Sequence, residues 1–171
     1  MARLFFALWP DPNIQAELAG SAKGTLPHSC RFVADKNIHF TVVFLGNVEN
    51  RDISTLIKKA WNIRASRFVL NIDQQGWWKQ PKVCWVGPSS IPSALIQLND
   101  AIRQIAQDLK LPADHKAFIP HITLARKVNR PIKLEFKPVR WKVREFCLIE
   151  SLTHLGEVKY KIIQQWPLTL G

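Results

Sequence analysis

Two four-residue segments carry the side chains best suited to chemistry: His39-Phe40-Thr41-Val42 and His121-Ile122-Thr123-Leu124, 82 residues apart. In an extended strand, residues two apart point to the same side, separated by about 6.5 to 7 Å. The imidazole and hydroxyl of each His-x-Thr unit therefore reach one surface, while Phe40 and Val42 face a core. One such unit is commonplace on a structural strand. Two copies, each with an apolar residue after His and after Thr, predict a pair facing across a cleft. A neutral imidazole can deprotonate a nucleophile while a protonated partner donates to a leaving oxygen, which is what acid-base phosphoryl chemistry requires. The hydroxyls of Thr41 and Thr123 are suited to hold non-bridging oxygens.

The elements that must position these residues follow from apolar periodicity. A short apolar strand over 3–9 is closed by Pro10, and Asp11-Pro12 opens a helix running to about Gly20. The first tetrad falls in a β-branched and aromatic strand over 38–45, stopped by Gly46-Asn47. Helical spacing marks 51–64 and, most clearly, 91–109, where Leu95, Leu98, Ile102, Ile105 and Leu109 recur at three- and four-residue steps. Strand patterns over 67–72 and 82–87 predict a hairpin around Gly76-Trp77-Trp78. The second tetrad lies in a strand over 118–125. A long alternating strand over 139–149 and a last one over 158–166 are predicted to pair as a meander, with 151–157 as a loop. The order predicts an α+β chain of two similar halves, each an antiparallel sheet with helices and each supplying one His-x-Thr strand, within a single domain over 1–171.

Composition narrows the partner. The 171 residues include 24 Lys and Arg against 13 Asp and Glu, a net charge of +11, which suits a polyanion such as nucleic acid. The excess is concentrated after the second tetrad, where Arg126, Lys127, Arg130, Lys133, Lys137, Arg140, Lys142 and Arg144 are opposed by Glu135 alone. Cys30, Cys84 and Cys147 are odd in number, far apart and without a CxxC pair, which argues against a disulfide framework and a zinc site. No HxH or HExxH spacing occurs, so a metal hydrolase is disfavoured and no metal or cofactor is expected. The first ten residues lack a signal-peptide pattern, and no apolar run approaches the roughly 20 residues of a membrane span. A soluble cytoplasmic monomer without membrane contact is the expectation.

The motifs resemble the 2H phosphoesterases, and within them the RNA 2′,3′-cyclic phosphodiesterase branch, also called 2′-5′ RNA ligases. The likeness spans nearly the whole chain and rests on Arg3-Leu4-Phe5-Phe6-Ala7-Leu8, Arg31-Phe32-Val33, His39 through Gly46, Val83-Cys84-Trp85-Val86-Gly87 and Phe118 through Arg126. The resemblance implies a bilobal fold with a pseudo-twofold axis and both His-Thr pairs facing a central groove. It implies opening of an RNA-terminal 2′,3′-cyclic phosphate, such as that on tRNA fragments, to a 2′-phosphate, with His121 as base and His39 as acid and no cofactor. It also implies that Arg126 meets the phosphate or the terminal nucleoside, through the planar fork that only arginine has. Phe44 suits both core packing and base stacking and is carried as a substrate contact. With an RNA 5′-hydroxyl in place of water, the same histidines would serve ligation. The rival class is a non-catalytic module that binds RNA ends. His28, His115 and His154 lack a threonine at the same offset and read as loop or surface residues, while Trp77 and Trp78 read as packing beside a hairpin. The 151–157 segment departs from the branch in carrying Leu155 and Glu157, which leaves substrate contacts there open.

Overall fold

The antiparallel ladders resolve into two four-stranded sheets and one two-stranded ribbon in the computed structural model, whose described residues are 1–170. In chain order the elements are β1 (Ala2–Leu8), α1 (Pro12–Thr25), β2 (Arg31–Phe32), a 3₁₀ turn (Asp35–Asn37), β3 (Phe40–Val48), α2 (Asn50–Ala60), β4 (Phe68–Ile72), β5 (Gln74–Trp78), β6 (Val83–Gly87), α3 (Ser93–Asp108), β7 (Ile122–Arg126), β8 (Val139–Val143), β9 (Glu145–His154) and β10 (Glu157–Pro167). One sheet runs β10-β9-β1-β3 and the other β2-β7-β6-β5, with β4 and β8 as the ribbon.

The internal repeat is a strand, a helix and an antiparallel return strand. In one sheet β1 and β3 are neighbours connected through α1; in the other β6 and β7 are neighbours connected through α3. Each return strand opens directly after the histidine of a tetrad and carries its other three residues. The α+β bilobal architecture read from the sequence is borne out, but the lobes exchange segments. β2, from the first half of the chain, pairs with β7, placing Phe32 opposite Ala125. The C-terminal β9 and β10 cross back to extend the first sheet alongside β1.

The helices pack through faces already visible as periodicity. Leu18, Ala19 and Ala22 of α1 and Leu95, Leu98 and Ile102 of α3 are buried in one continuous core that takes residues from both sheets. Phe6, Phe40, Phe146 and Trp166 are the largest fully buried side chains in it, each contributing about 1.5–3 kcal/mol by leaving water. A second, small cluster of Phe5, Ala7, Cys147 and Ile149 lies on the opposite face of the first sheet, beneath Trp9, Phe44 and Tyr160. That face borders the site.

Several expectations change. Gly76-Trp77-Trp78 is not a turn but part of β5, which pairs with β6, while β4 pairs instead with β8. The single strand over 139–149 is two strands in different sheets, because outward alternation slips at Arg144 and Glu145, both exposed. The helix expected to stop near Gly20 continues to Thr25, since an exposed glycine there costs only about 1 kcal/mol relative to Ala and buried Leu18, Ala19 and Ala22 outweigh it. Much of the 151–157 segment is strand: β9 runs to His154 and β10 resumes at Glu157, leaving Leu155-Gly156 as a tight turn. The meander of the last two strands is present as read.

Candidate active site

His39 and His121 each stand one residue before their strands, at the entrances to β3 and β7. The backbone reaches them by different routes. Asp35–Asn37 form a 3₁₀ turn that Ile38 leaves in an extended conformation, whereas Pro120 fixes its own φ just ahead of His121. Both rings nevertheless fold back in the same way. Nδ1 of His39 lies 2.6 Å from the Asn37 carbonyl oxygen, and Nδ1 of His121 lies 2.8 Å from that of Ile119. A carbonyl only accepts, so in each ring Nδ1 carries the hydrogen and Nε2 is left for a reacting partner.

A cleft of about 240 Å³ brings together all six residues singled out from the sequence: His39, Thr41, Phe44, His121, Thr123 and Arg126. Phe44 arrives there through a bulge. Ala7 pairs with Thr41 and Phe6 with Val43, so Val42 is the extra residue in β3. Without it, residues three apart would face opposite sides; with it, Thr41 and Phe44 both line the cleft. Phe44 lies 6.5 Å from Phe5, and the Arg3 guanidinium carbon sits 5.1 Å from the Phe44 ring centroid. The local backbone is secured from beneath. Asn99 Nδ2 of α3 donates to the Val42 carbonyl at 2.9 Å, and Gln15 Nε2 of α1 donates to the carbonyls of Ile38 at 2.9 Å and Lys36 at 3.2 Å.

Each histidine has its own aromatic surround. Trp9 lies flat on His39, with ring centroids 5.0 Å apart and planes 2° from parallel, while Phe5 and Tyr160 approach at 5.1 and 5.0 Å. Trp78 meets His121 edge-on at 4.6 Å and is itself 5.2 Å from Trp85, the ladder partner of Thr123. Close approach at β6 depends on glycine. A Cβ on Gly76 would lie 2.1 Å from the nearest Trp85 ring carbon, and one on Gly87 would lie 2.7 Å from the Pro120 carbonyl oxygen and 3.5 Å from His121 Cα.

These surroundings set the charge states. Burial among aromatic rings pushes His39 down to about 4, against the pull of its Asn37 hydrogen bond, and the nearby charges of His121 and Arg126 push the same way. Burial also lowers His121, with Arg126 adding to the effect. Both imidazoles are thus neutral at pH 7 in the unliganded protein. Arg126 itself has no carboxylate partner: the ion pairs among the described residues are Lys23–Asp35 and Lys59–Asp108. Its charge is free to meet an anion. Among the described residues, no group of three or more His, Cys, Asp or Glu is placed to hold a metal ion.

The cleft also contains residues that sequence reasoning missed as site residues: Arg3, Phe5, Asn37, Ser151 and Tyr160. Arg3 and Phe5 had a local signal, since they alternate with buried Leu4 and Phe6 along β1. Ser151 and Tyr160 had none, being carried in by the order of strands. Trp77 and Trp78 part company. Trp77 donates its indole hydrogen to the Val128 carbonyl at 2.7 Å and packs on the core, whereas Trp78 touches His121. His28, His115 and His154 are exposed and outside the cleft.

Two lobes related by a repeated strand-helix-strand unit, each presenting a His-x-Thr at a shared cleft, define a paired-histidine phosphoesterase fold. The chain belongs to the 2′-5′ RNA ligase superfamily, whose sequence pattern matches residues 10–154. The RNA 2′,3′-cyclic phosphodiesterase of Escherichia coli strain K12 is 32% identical over 98% of this chain and 97% of its own length. A crystal structure of E. coli LigT complexed with 3′-AMP superposes with a TM-score of 0.87 at 31% identity, covering 98% of both chains. The Thermus thermophilus protein TT0787, at 21% identity and TM-score 0.84 over 97% of both chains, shares the fold. The 2H phosphoesterase resemblance read from the sequence is thereby borne out.

Proposed function

We propose that this protein is an RNA 2′,3′-cyclic phosphodiesterase, a hydrolase that opens a terminal cyclic phosphate to a 2′-phosphate by acid-base catalysis between its two histidines, without a metal. The observation that carries this reading is the matched anchoring of the rings: both Nδ1 atoms donate two residues back, leaving two Nε2 atoms for one cleft that also holds Arg126. His121 Nε2 takes a proton from water as its oxygen bonds to phosphorus. The bond from phosphorus to O3′ breaks, and His39 Nε2 gives O3′ a proton, leaving a 2′-phosphate and a free 3′-hydroxyl. Thr41, Thr123 and Arg126 hold the non-bridging oxygens, and Phe44 stacks on the terminal base. His39 is neutral before substrate binds, so the cyclic phosphate anion supplies the field that lets it hold its proton.

The names of the relatives support the substrate class, as does the nucleotide bound to E. coli LigT. An RNA 5′-hydroxyl replacing water gives 2′-5′ joining as a side activity. The reading includes a monomeric cytoplasmic enzyme that works as one domain over 1–171, acting on ends such as those of tRNA fragments. Three free, buried thiols suit a reducing compartment, and no helix among the described residues is long and apolar enough to cross a membrane.

The test is product analysis on an oligoribonucleotide ending in a 2′,3′-cyclic phosphate, with EDTA present. The expected product is the 2′-phosphate, formed at the same rate with or without chelator and lost in His39→Ala and His121→Ala. A 3′-phosphate product, abolition by EDTA, or parental turnover in either variant would overturn the mechanism.

A further inference from the structure

The basic segment after the second tetrad divides in the fold. Arg126 enters the cleft, but Arg140 and Lys142 alternate with buried Val139, Trp141 and Val143 along β8 and so point outward, and exposed Arg144 follows directly at the break between β8 and β9. They are exposed, and none belongs to either ion pair among the described residues. Along the strand, residues two apart such as Arg140 and Lys142 are about 6.5–7 Å apart, comparable to the step between phosphates along an extended nucleic-acid strand.

The groove beside these cations shares Trp9 with the surround of His39. This groove of about 470 Å³ is lined by Trp9, Asp11 and Ile14 and by every residue from 140 to 145, buried Trp141 and Val143 as well as the three cations. Ala7 pairs with Cys147, so the chain leaving β1 runs antiparallel past the start of β9, bringing Trp9 to the Arg144 end of the row. Trp9 is the ring stacked on His39. Asp11 and Glu145 also border the groove, and Glu145 accepts a hydrogen bond from Gln165 Nε2 at 3.2 Å.

We propose that the outward face of β8, continued by Arg144 just beyond it, is a track for the RNA strand upstream of its cyclic end, with Arg144, Lys142 and Arg140 meeting successive phosphates as the strand leaves the cleft past Trp9. The proposal rests on the phosphodiesterase reading for which end of the RNA lies in the cleft. A row of cations at phosphate spacing, ending at an aromatic ring shared with the site, is the arrangement that follows a single-stranded backbone without reading its sequence. A solvated charged face would need neither the regular row nor the shared tryptophan.

The experiment compares adenosine 2′,3′-cyclic phosphate with a short oligoribonucleotide bearing the same end, in the parent and in the triple variant Arg140→Gln, Lys142→Gln, Arg144→Gln. The variant should lower kcat/KM for the oligonucleotide by about tenfold while leaving the mononucleotide within about twofold. Its plot of log(kcat/KM) against log salt should become shallower by about 2, three phosphate contacts at roughly 0.7 each. Arg140→Lys with Arg144→Lys should retain the oligonucleotide preference. Equal oligonucleotide kcat/KM and equal salt slope in parent and triple variant would overturn the track, as would a loss seen instead in Lys36→Gln, Lys159→Gln, which lie along the groove that shares Asn37, Arg126 and Tyr160 with the cleft. Fluorescence anisotropy with an oligonucleotide ending in 2′-phosphate reads the track without turnover: weaker binding by the triple variant supports it and equal binding overturns it. A parent that opens neither substrate would instead sink the phosphodiesterase reading.

Discussion

Gln15 and Asn99, on different helices, grip the two ends of one tetrad: Gln15 donates to the carbonyl just before His39, and Asn99 to the carbonyl of Val42, its last residue. They are the buried polar side chains among the described residues, 5% and 3% exposed. Replacing either by leucine strands a buried carbonyl at a cost of about 1–3 kcal/mol, lowering Tm by roughly 2–12 °C in a chain of this size. The two losses should differ in kinetics. Gln15→Leu frees the turn that aims His39 and should lower kcat; Asn99→Leu relaxes the bulge that turns Phe44 into the cleft and should raise KM. Thermal melts with steady-state kinetics on both variants check this, and identical kinetic effects would count against separate roles.

The pH dependence follows from the depressed histidines. Turnover needs one imidazole neutral and one protonated, so kcat/KM, which reports the free enzyme, peaks between two values that both lie below the ordinary 6.5. Its optimum should fall on the acid side of 6.5, with a drop of about tenfold per pH unit well above both values. The kcat profile should lie at higher pH, because a bound phosphate anion raises His39. Arg126→Gln removes a positive neighbour of both rings, so its alkaline limb should move to higher pH even as the absolute rate falls. An unmoved limb would show that Arg126 does not act on the imidazoles.

Gly87 measures how closely β6 must pass the second histidine. Gly87→Ala would place a methyl 2.7 Å from the Pro120 carbonyl oxygen and should displace the backbone that leads into His121. A fall in kcat of about 100-fold is expected, the scale associated with misplacing a reacting group by 1 Å. Gly20→Ala is the matched control. It sits exposed on α1 with nothing within 4 Å of the added carbon, and should stabilise the protein by about 0.5–1 kcal/mol without changing kcat. Circular dichroism melts and kinetics on the pair separate the site effect from a general penalty on adding a methyl.

What was legible in the sequence was what local period encodes. The helix faces, the tetrad strands and the closing meander follow from spacing alone, and Gln15 shares a helical face with Leu18, Ala19 and Ala22, a signal that it is buried. The break between β8 and β9 was also written in parity: buried positions 139, 141 and 143 give way to 146 and 148. The partners of β4 and β5 were not legible, because neighbouring short strands do not reveal which sheet will claim them. Nor was the placing of Phe44, which depends on a bulge paired against β1. Tyr160 and Ser151 reach the cleft only because β9 and β10 return to the first sheet.

The tethering of both Nδ1 atoms has a consequence for what happens between turnovers. With that side of each ring occupied, protons enter and leave only through the two Nε2 atoms. In the proposed reaction the enzyme therefore ends a cycle in the mirror image of the state in which it began, with His121 charged and His39 discharged. That leftover state is the one suited to the opposite direction, taking a proton from a 3′-hydroxyl and giving one to a departing oxygen. Until a proton crosses the cleft or exchanges with solvent, the protein keeps a short memory of the reaction it has just performed.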